Sequence, residues 1–192
     1  MPKSIKGTKT EKNVLTAFAG ESQARNRYTF FASKAKKEGY EQISAIFTET
    51  ANNEKEHAEL FFKFLEGGAI EISGTFPAGI IGSTPQNLKV SAEGENEEHT
   101  KAYPEAAKIA KEEGFSEIAD AFLKISVVEK HHEERYLKLL ENIEKGKIFK
   151  KDKPTVWKCR NCGYIYESVQ AFDECPACKH SKAYMEVLSE NF

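Results

Sequence analysis

Nowhere does this chain run through the roughly 18 consecutive apolar residues that a membrane helix requires, so no bilayer-crossing segment is expected. Its first residues, MPKSIKGTKTEKNV, carry charge without the apolar stretch of a secretion signal, and a cytoplasmic location is expected. Charge of one sign is scarce too. The 28 Lys and Arg against 30 Asp and Glu leave a net charge of -2, with the signs interspersed, and the lack of a basic block argues against nucleic acid as a partner. Cysteine is absent until Cys159; all four fall at Cys159, Cys162, Cys175 and Cys178, as two Cys-x-x-Cys pairs. Without a secretion signal, that pattern favours metal ligation over disulfides. No dinucleotide-binding or flavin motif is present, which argues against a nicotinamide or flavin site on this chain. What remains is 40% apolar and 30% charged over 192 residues, enough for one ordinary domain or for one large and one small.

The chain is organised around a repeated motif. Glu54-Lys55-Glu56-His57 returns 75 residues later as Glu129-Lys130-His131-His132. Both copies read Glu-x-x-His, and both sit in the apolar seam of a helical pattern. Ile43, Phe47, Phe61 and Leu65 flank the first, and Ile118, Phe122, Ile125, Tyr136 and Leu140 the second. Glutamate and histidine three apart point the same way along a helix. Burying them costs about several kcal/mol of desolvation per charge, which a shared metal pair compensates.

In chain order, a first helix is expected over about residues 10–38, its seam interrupted by Glu21, and a second over about 41–65, ended by Gly67 and Gly68. Residues 67–87 are rich in glycine and include Pro77 and Pro85. So long a connection indicates a crossover, with the third helix starting at the same end as the first, as in ferritin-like bundles. The apolar FPAGIIG stretch at 76–82 is expected to lie against the bundle or against another subunit. The third helix, about 88–113, carries Glu95 and Glu98, with Pro104 expected to bend it. The fourth, about 116–145, carries Glu129 and His132. A shift of 75 aligns Tyr28 with Tyr103 and AKKEG with AKEEG, an internal duplication, yet it places Asn96 opposite Glu21. The apolar seam favours Glu95 and Glu98 as the partners of Glu21.

One glutamate from each of two helices and Glu-x-x-His from each of the other two is the ligand plan of di-iron carboxylate bundles. The candidates are Glu21, Glu95, Glu54 with His57, and Glu129 with His132, with Glu98 as an additional seam carboxylate. Carboxylates with two imidazoles suit iron or manganese better than zinc or calcium. Tyr28 and Tyr103 are candidates for hydrogen bonds to those carboxylates. The expected division is a bundle over 1–146, a linker over 147–153 and a small metal domain over 154–192. In that domain, short strands around 156–159, 164–166 and 183–188 surround a four-thiolate site. Zinc ribbons and single-iron sites share this spacing. A domain so small depends on its metal to fold.

With GESQARNRY around Glu21, both Glu-x-x-His motifs, CRNCGYIYES and CPAC, essentially the whole chain resembles the rubrerythrins. The resemblance implies a mainly α protein: a ferritin-like four-helix bundle with one long crossover, plus a C-terminal rubredoxin-like domain. It implies two irons bridged by Glu54 and Glu129, with Glu21 and either His57 or Glu98 on one, and Glu95 and His132 on the other. His57 and Glu98 would exchange as the oxidation state changes. The four cysteines would hold a third iron. The implied activity is reduction of hydrogen peroxide to water in oxidative-stress defence, by a homodimer fed from NAD(P)H through a separate reductase, often with a rubredoxin between. Lys179, where the second knuckle would favour glycine, is a small departure. The alternative is a ferritin-type ferroxidase or iron store with a structural zinc ribbon.

Overall fold

Apolar residues three and four apart give the chain its long helices. A computed structural model describes residues 3–190, so the outermost residues of the two expected domains, 1–2 and 191–192, lie outside the described residues. Helix α1 (Lys9–Lys37) buries Val14, Ala17, Ala24, Tyr28, Phe31, Ala32 and Ala35 on one face, with Glu21 in their midst. A left-handed Gly39, at φ 83°, turns the chain into α2 (Glu41–Phe64). After the crossover come α3 (Thr84–Glu97), a π-helical turn over Glu98–Ala102, α4 (Tyr103–Glu112) and α5 (Ser116–Glu144). The third helix begins four residues earlier than its apolar pattern indicated. Ser83 and Gln86 form a reciprocal capping box there, and Pro85 occupies the first turn, where its missing N–H costs nothing.

The two halves lock onto each other by the same device. Glu38, the fourth residue of AKKEG, accepts from the Thr84 backbone N–H at 2.8 Å and the Thr84 hydroxyl at 2.6 Å. Glu113, the fourth residue of AKEEG, accepts from the N–H and hydroxyl of Thr10 at the same distances, 2.8 and 2.6 Å. Each carboxylate therefore caps the opening turn of the other half's first helix. This corrects the expected topology: α3 starts where α1 ends, not where α1 starts, because the crossover traverses the bundle's whole length and leaves α2 and α3 parallel.

The core is split. One apolar cluster gathers Val14, Phe61, Tyr103, Phe115, Ile118 and Phe122, and a second gathers Tyr28, Phe31, Ile43, Phe47, Leu88 and Tyr136. The buried Glu21, Glu54, Glu95, Glu129 and His132 make a polar layer in the same bundle.

The tail forms a three-stranded antiparallel sheet in the order β2-β1-β3, from β1 (Lys150–Cys159), β2 (Ile165–Gln170) and β3 (Met185–Val187). Strand β1 takes in residues 150–153, where a linker was expected. Trp157, Cys159, Ala171, Cys175 and Met185 are its buried core. It docks on the turn between α1 and α2, where Phe149 stacks on Tyr40 at 6.2 Å and Ala183 Cβ lies 3.8 Å from the position a Cβ on Gly39 would take. No helix among the described residues is long and apolar enough to cross a membrane.

The reciprocal caps are testable. Glu38→Ala and Glu113→Ala should each lower the melting temperature by about 2–4 °C in thermal melts. The double variant should lower it by nearly the sum, since the caps share no partner.

Candidate metal centre

Four helices each deliver one buried carboxylate to the polar layer. Glu21 and Glu129 are 0% exposed, and Glu54 and Glu95 1%. The imidazoles meet them through Nδ1. His57 Nδ1 lies 2.9 Å from Glu54 Oε2, 2.9 Å from Glu129 Oε1 and 3.8 Å from Glu21 Oε1. His132 Nδ1 lies 2.8 Å from Glu129 Oε2, 3.2 Å from Glu54 Oε1 and 3.9 Å from Glu95 Oε2. Glu54 and Glu129 thus each turn one oxygen to either imidazole, whereas Glu21 sits with His57 and Glu95 with His132. Two groups of four donors result, Glu21, Glu54, His57 and Glu129, and Glu54, Glu95, Glu129 and His132, each within 4.8 Å. The tyrosine hydroxyls donate from either side: Tyr103 to Glu21 Oε1 and Tyr28 to Glu95 Oε1, both at 2.5 Å.

The atoms that remain say what the layer is built for. Close as they are to one another, Glu21 Oε2, Glu54 Oε1, Glu95 Oε2, both oxygens of Glu129 and His132 Nδ1 are buried without a well-aligned hydrogen bond. Native cores rarely leave such groups unsatisfied, and here six converge. Four carboxylates and two neutral imidazoles fit two divalent ions in charge as well as in ligand type.

Without metal, protons take that place. Burial first, then repulsion from Glu54 and Glu129, raises Glu21 and Glu95 well above the ordinary carboxylate value of 4.5. Glu98 rises to about 8 from burial and the same two neighbours. Burial works to lower the imidazoles, but Glu129 and Glu54 outweigh it, pushing His57 up to about 10 and His132 up to about 9. Glu54 alone goes the other way: the two histidines overcome its burial and bring it down to about 2.

Glu98 stands outside both groups. It opens the π-helical turn, is half-buried, and lines a cavity of about 540 Å³ with Gly20, Arg27 and Tyr103. That turn also resolves the imperfect repeat. Gly20-Glu21 and Gly94-Glu95 are 74 apart, whereas Tyr28 and Tyr103 are 75 apart. A π turn spends one residue more than an α turn, so the helix gains a residue between Glu95 and Tyr103 and still brings both to the site. The slip from 74 to 75 was the available sequence signal. Pro104, two residues past the turn's Ala102, lacks an N–H for the carbonyl of Thr100, which explains why the α pattern yields just before it. His99, unassigned from sequence, holds the turn to α5 through Glu133 at 2.6 Å, and Asn96 reaches the same carboxylate at 3.0 Å. His131 is exposed, as its place on the helix indicated.

In the tail, Cys159 and Cys178 Sγ are 3.8 Å apart, Cys162 and Cys175 Sγ 3.7 Å, and all four lie within 4.8 Å. Sulfurs about 2.3 Å from a tetrahedral metal would be about 3.8 Å apart, so the four fit one ion. The backbone N–H of His180 holds the Cys178 thiol down to about 6. The knuckles close through Gly163 N–H to Cys159 O at 2.8 Å and Lys179 N–H to Cys175 O at 2.9 Å. Gly163, at φ 80°, takes this turn freely; Lys179, at φ 63°, is left-handed without being glycine.

Comparison with known proteins agrees with both sites. The family profile described as Rubrerythrin matches residues 12–140, and that of the rubrerythrin rubredoxin-like domain matches 157–186. The rubrerythrin of Porphyromonas gingivalis is 60% identical over 192 residues, covering 100% of this chain and 96% of its own. That of Nitratidesulfovibrio vulgaris is 56% identical over 190 residues, covering 99% and 100%. Among solved structures, partially reduced nigerythrin superposes with a TM-score of 0.63 at 31% identity, over 97% of this chain and 92% of that one.

Two outcomes follow for the metal-free and the variant protein. Glu21, Glu95, Glu98, His57 and His132 all bind protons more tightly folded than unfolded, so the stability they lend the metal-free bundle is lost as pH rises from about 4.5 towards 10. Glu54 contributes oppositely, but only between about 4.5 and 2. Helix melts with chelator should therefore fall from about pH 5 to pH 9, while the metal-loaded protein, whose ions displace those protons, should not follow. Lys179→Gly should relieve about 1 kcal/mol of left-handed strain and slow thermal loss of the thiolate-bound metal, read from its absorbance.

Proposed function

The chain belongs to the rubrerythrin family, and from that premise we propose that it reduces hydrogen peroxide to water at the di-iron site of its bundle. Electrons enter through the four-cysteine iron from a separate donor, a rubredoxin or an NAD(P)H-dependent reductase. The observation that carries this is the pairing of six orphaned buried donors, matched to two ions, with a four-sulfur site on the same chain. When bound, the iron pair supplies the two electrons that cleaving an O–O bond requires, and the thiolate-bound iron returns them one at a time. Nigerythrin, matched over 97% of this chain, has been solved in a fully reduced, all-ferrous state, which supports a centre that changes oxidation state.

The residues divide the work. Glu54 and Glu129, facing both imidazoles, would be the carboxylates shared by two bound ions. Tyr103 and Tyr28 donate to Glu21 and Glu95, fixing which oxygen of each faces the ions. Four carboxylates balance two ferrous charges, and oxidation leaves an excess positive charge. Glu98 is the fifth carboxylate available to answer it, while His57, at 12% side-chain exposure, is the neutral donor at the edge that can leave. This is the exchange the family resemblance implies, and it gives the extra residue in the π turn its use. Glu98, at the cavity, is also the carboxyl group placed to hold a proton for the departing oxygen.

Within one chain the two metal sites are far apart. The tail docks at Tyr40, about 21 Å along α2 from Glu54 at 1.5 Å per residue. The crossover leaves Ile80 80% and Ile81 56% exposed, an apolar surface suited to a second copy of the chain. A homodimer that sets the tail of one copy near the bundle of the other shortens the electron path. Thiolate-bound iron suits a reducing, cytoplasmic compartment.

The iron-loaded protein should contain three irons per chain and be red. After anaerobic reduction its colour should return faster with hydrogen peroxide than with dioxygen, and not without an oxidant. Glu54→Ala should slow that return at least about 100-fold, and Tyr103→Phe about 10-fold to 100-fold. Zinc in the tail, or ferric mineral accumulating as free ferrous iron is consumed, would instead establish a ferroxidase or store.

A further inference from the structure

The cavity beside Glu98 is much larger than the proposed substrate needs. Its volume is about 540 Å³, against about 30 Å³ for one water in the liquid. It falls in the range of pockets that take small organic molecules, roughly 300–1,000 Å³. One end is polar, at Glu98 and Tyr103, the side chains that join it to the metal centre. Most of the remaining wall is apolar, from Ala17, Ala106 and Phe122 on the helices and Phe76 on the crossover, with the charged Arg27 and Glu97 also on the lining.

Two glycines border the space at positions where larger side chains would fit. Gly20 and Gly94 occupy repeat-related positions one residue before Glu21 and Glu95, and both line the cavity. Neither has a positive φ, so the backbone does not require glycine at either place. Helix interiors disfavour glycine relative to alanine. A Cβ would meet nothing within 4 Å at Gly94, and only Glu98 Oε1, at 4.0 Å, at Gly20. Close packing does not demand glycine at either place, and a larger side chain at either would project into the open volume.

We propose that this cavity admits organic hydroperoxides, ROOH with an apolar R group, and that the chain reduces them as it reduces hydrogen peroxide. The inference rests on the peroxide-reductase reading and names a second substrate class for the same site. The hydroperoxide end lies at Glu98 and Tyr103, and R lies along Phe76, Ala106 and Phe122. The reaction consumes two electrons and two protons, breaks the O–O bond, and yields the alcohol ROH and water. The electrons come through the four-cysteine iron from the same donor that serves hydrogen peroxide. Displacing cavity water from these walls adds binding energy that hydrogen peroxide cannot gain.

The test uses the iron-loaded full chain, reduced anaerobically and mixed with hydrogen peroxide, cumene hydroperoxide or buffer. The return of the red colour is followed, and cumyl alcohol is quantified. Return with cumene hydroperoxide within tenfold of the hydrogen peroxide rate, with one alcohol formed per two electrons, is the expected result. A rate below one hundredth of that with hydrogen peroxide overturns this inference and leaves the peroxidase reading intact; no return with either oxidant overturns the peroxidase reading itself. Gly94→Leu fills the cavity from an open position and replaces a helix-disfavoured residue. It should raise the melting temperature while lowering the ratio of cumene hydroperoxide to hydrogen peroxide turnover at least tenfold. Calorimetry supplies a readout apart from turnover: cumyl alcohol should bind the oxidised wild-type protein and bind Gly94→Leu at least tenfold more weakly. An unchanged ratio and unchanged binding would place the organic substrate elsewhere and overturn the assignment.

Discussion

Four carboxylates buried in the middle of a helical bundle are the constraint on which the rest of the molecule depends. Each alone would cost several kcal/mol to bury as an anion, and crowding them makes each costlier for its neighbours. Among the described residues no lysine or arginine pairs with them, and the counter-groups in contact are two imidazoles, His57 and His132. Protons can neutralise the layer, as the raised Glu21 and Glu95 show, but they leave convergent oxygens unsatisfied. Two divalent ions satisfy charge and geometry together. The apolar clusters on either side then act as clamps, holding the ligands in a spacing that a solvated site would not keep.

Duplication explains how so demanding a layer was specified twice over. Reciprocal caps at Glu38 and Glu113 make the halves index each other, so that equivalent helices meet in register at the centre. The departure from symmetry lies where function needs one. A symmetric pair of hairpins offers an even number of carboxylates, four, matched to the reduced charge. The π turn adds a residue to one half only and with it a carboxylate, Glu98, that the other half lacks. An odd carboxylate on one side makes the surroundings of the two donor groups inequivalent.

Much of this was legible in the sequence, because seam residues at helical spacing and Glu-x-x-His motifs are local patterns. Helix ends were read to within about four residues, and the ligand glutamates and histidines fell into place with Tyr28 and Tyr103. What local pattern could not give was direction and register. The crossover's length showed that one existed, but which end α3 began at depended on Glu38 reaching Thr84, a contact 46 residues apart. The partner of Glu21 stayed open between Glu95 and Glu98 because a single shift, which put Asn96 opposite Glu21, was applied across a helix that changes its own repeat at Glu98–Ala102. His99 gave no signal at all, since its role is set by Glu133 on another helix.

The tail presents the opposite physical problem from the bundle. Its buried core is five residues, two of them cysteines, too few to hold a fold by apolar burial alone. Metal ligation is therefore the folding energy of the domain, and the strained Lys179 knuckle is tolerated because the ion holds both ends of the turn. The bundle has a large core and uses its metal for chemistry; the tail has almost none and uses its metal to exist. A carrier of that kind can be attached to the outside of a catalytic domain without contributing to its packing, and it docks here at Tyr40 and Gly39 through a small contact. Its separation from the polar layer within one chain follows from that docking site, since α2 must run four turns from Tyr40 before it reaches Glu54. The docking site therefore sets the tail's metal apart from the polar layer, and packing in the bundle does not depend on it.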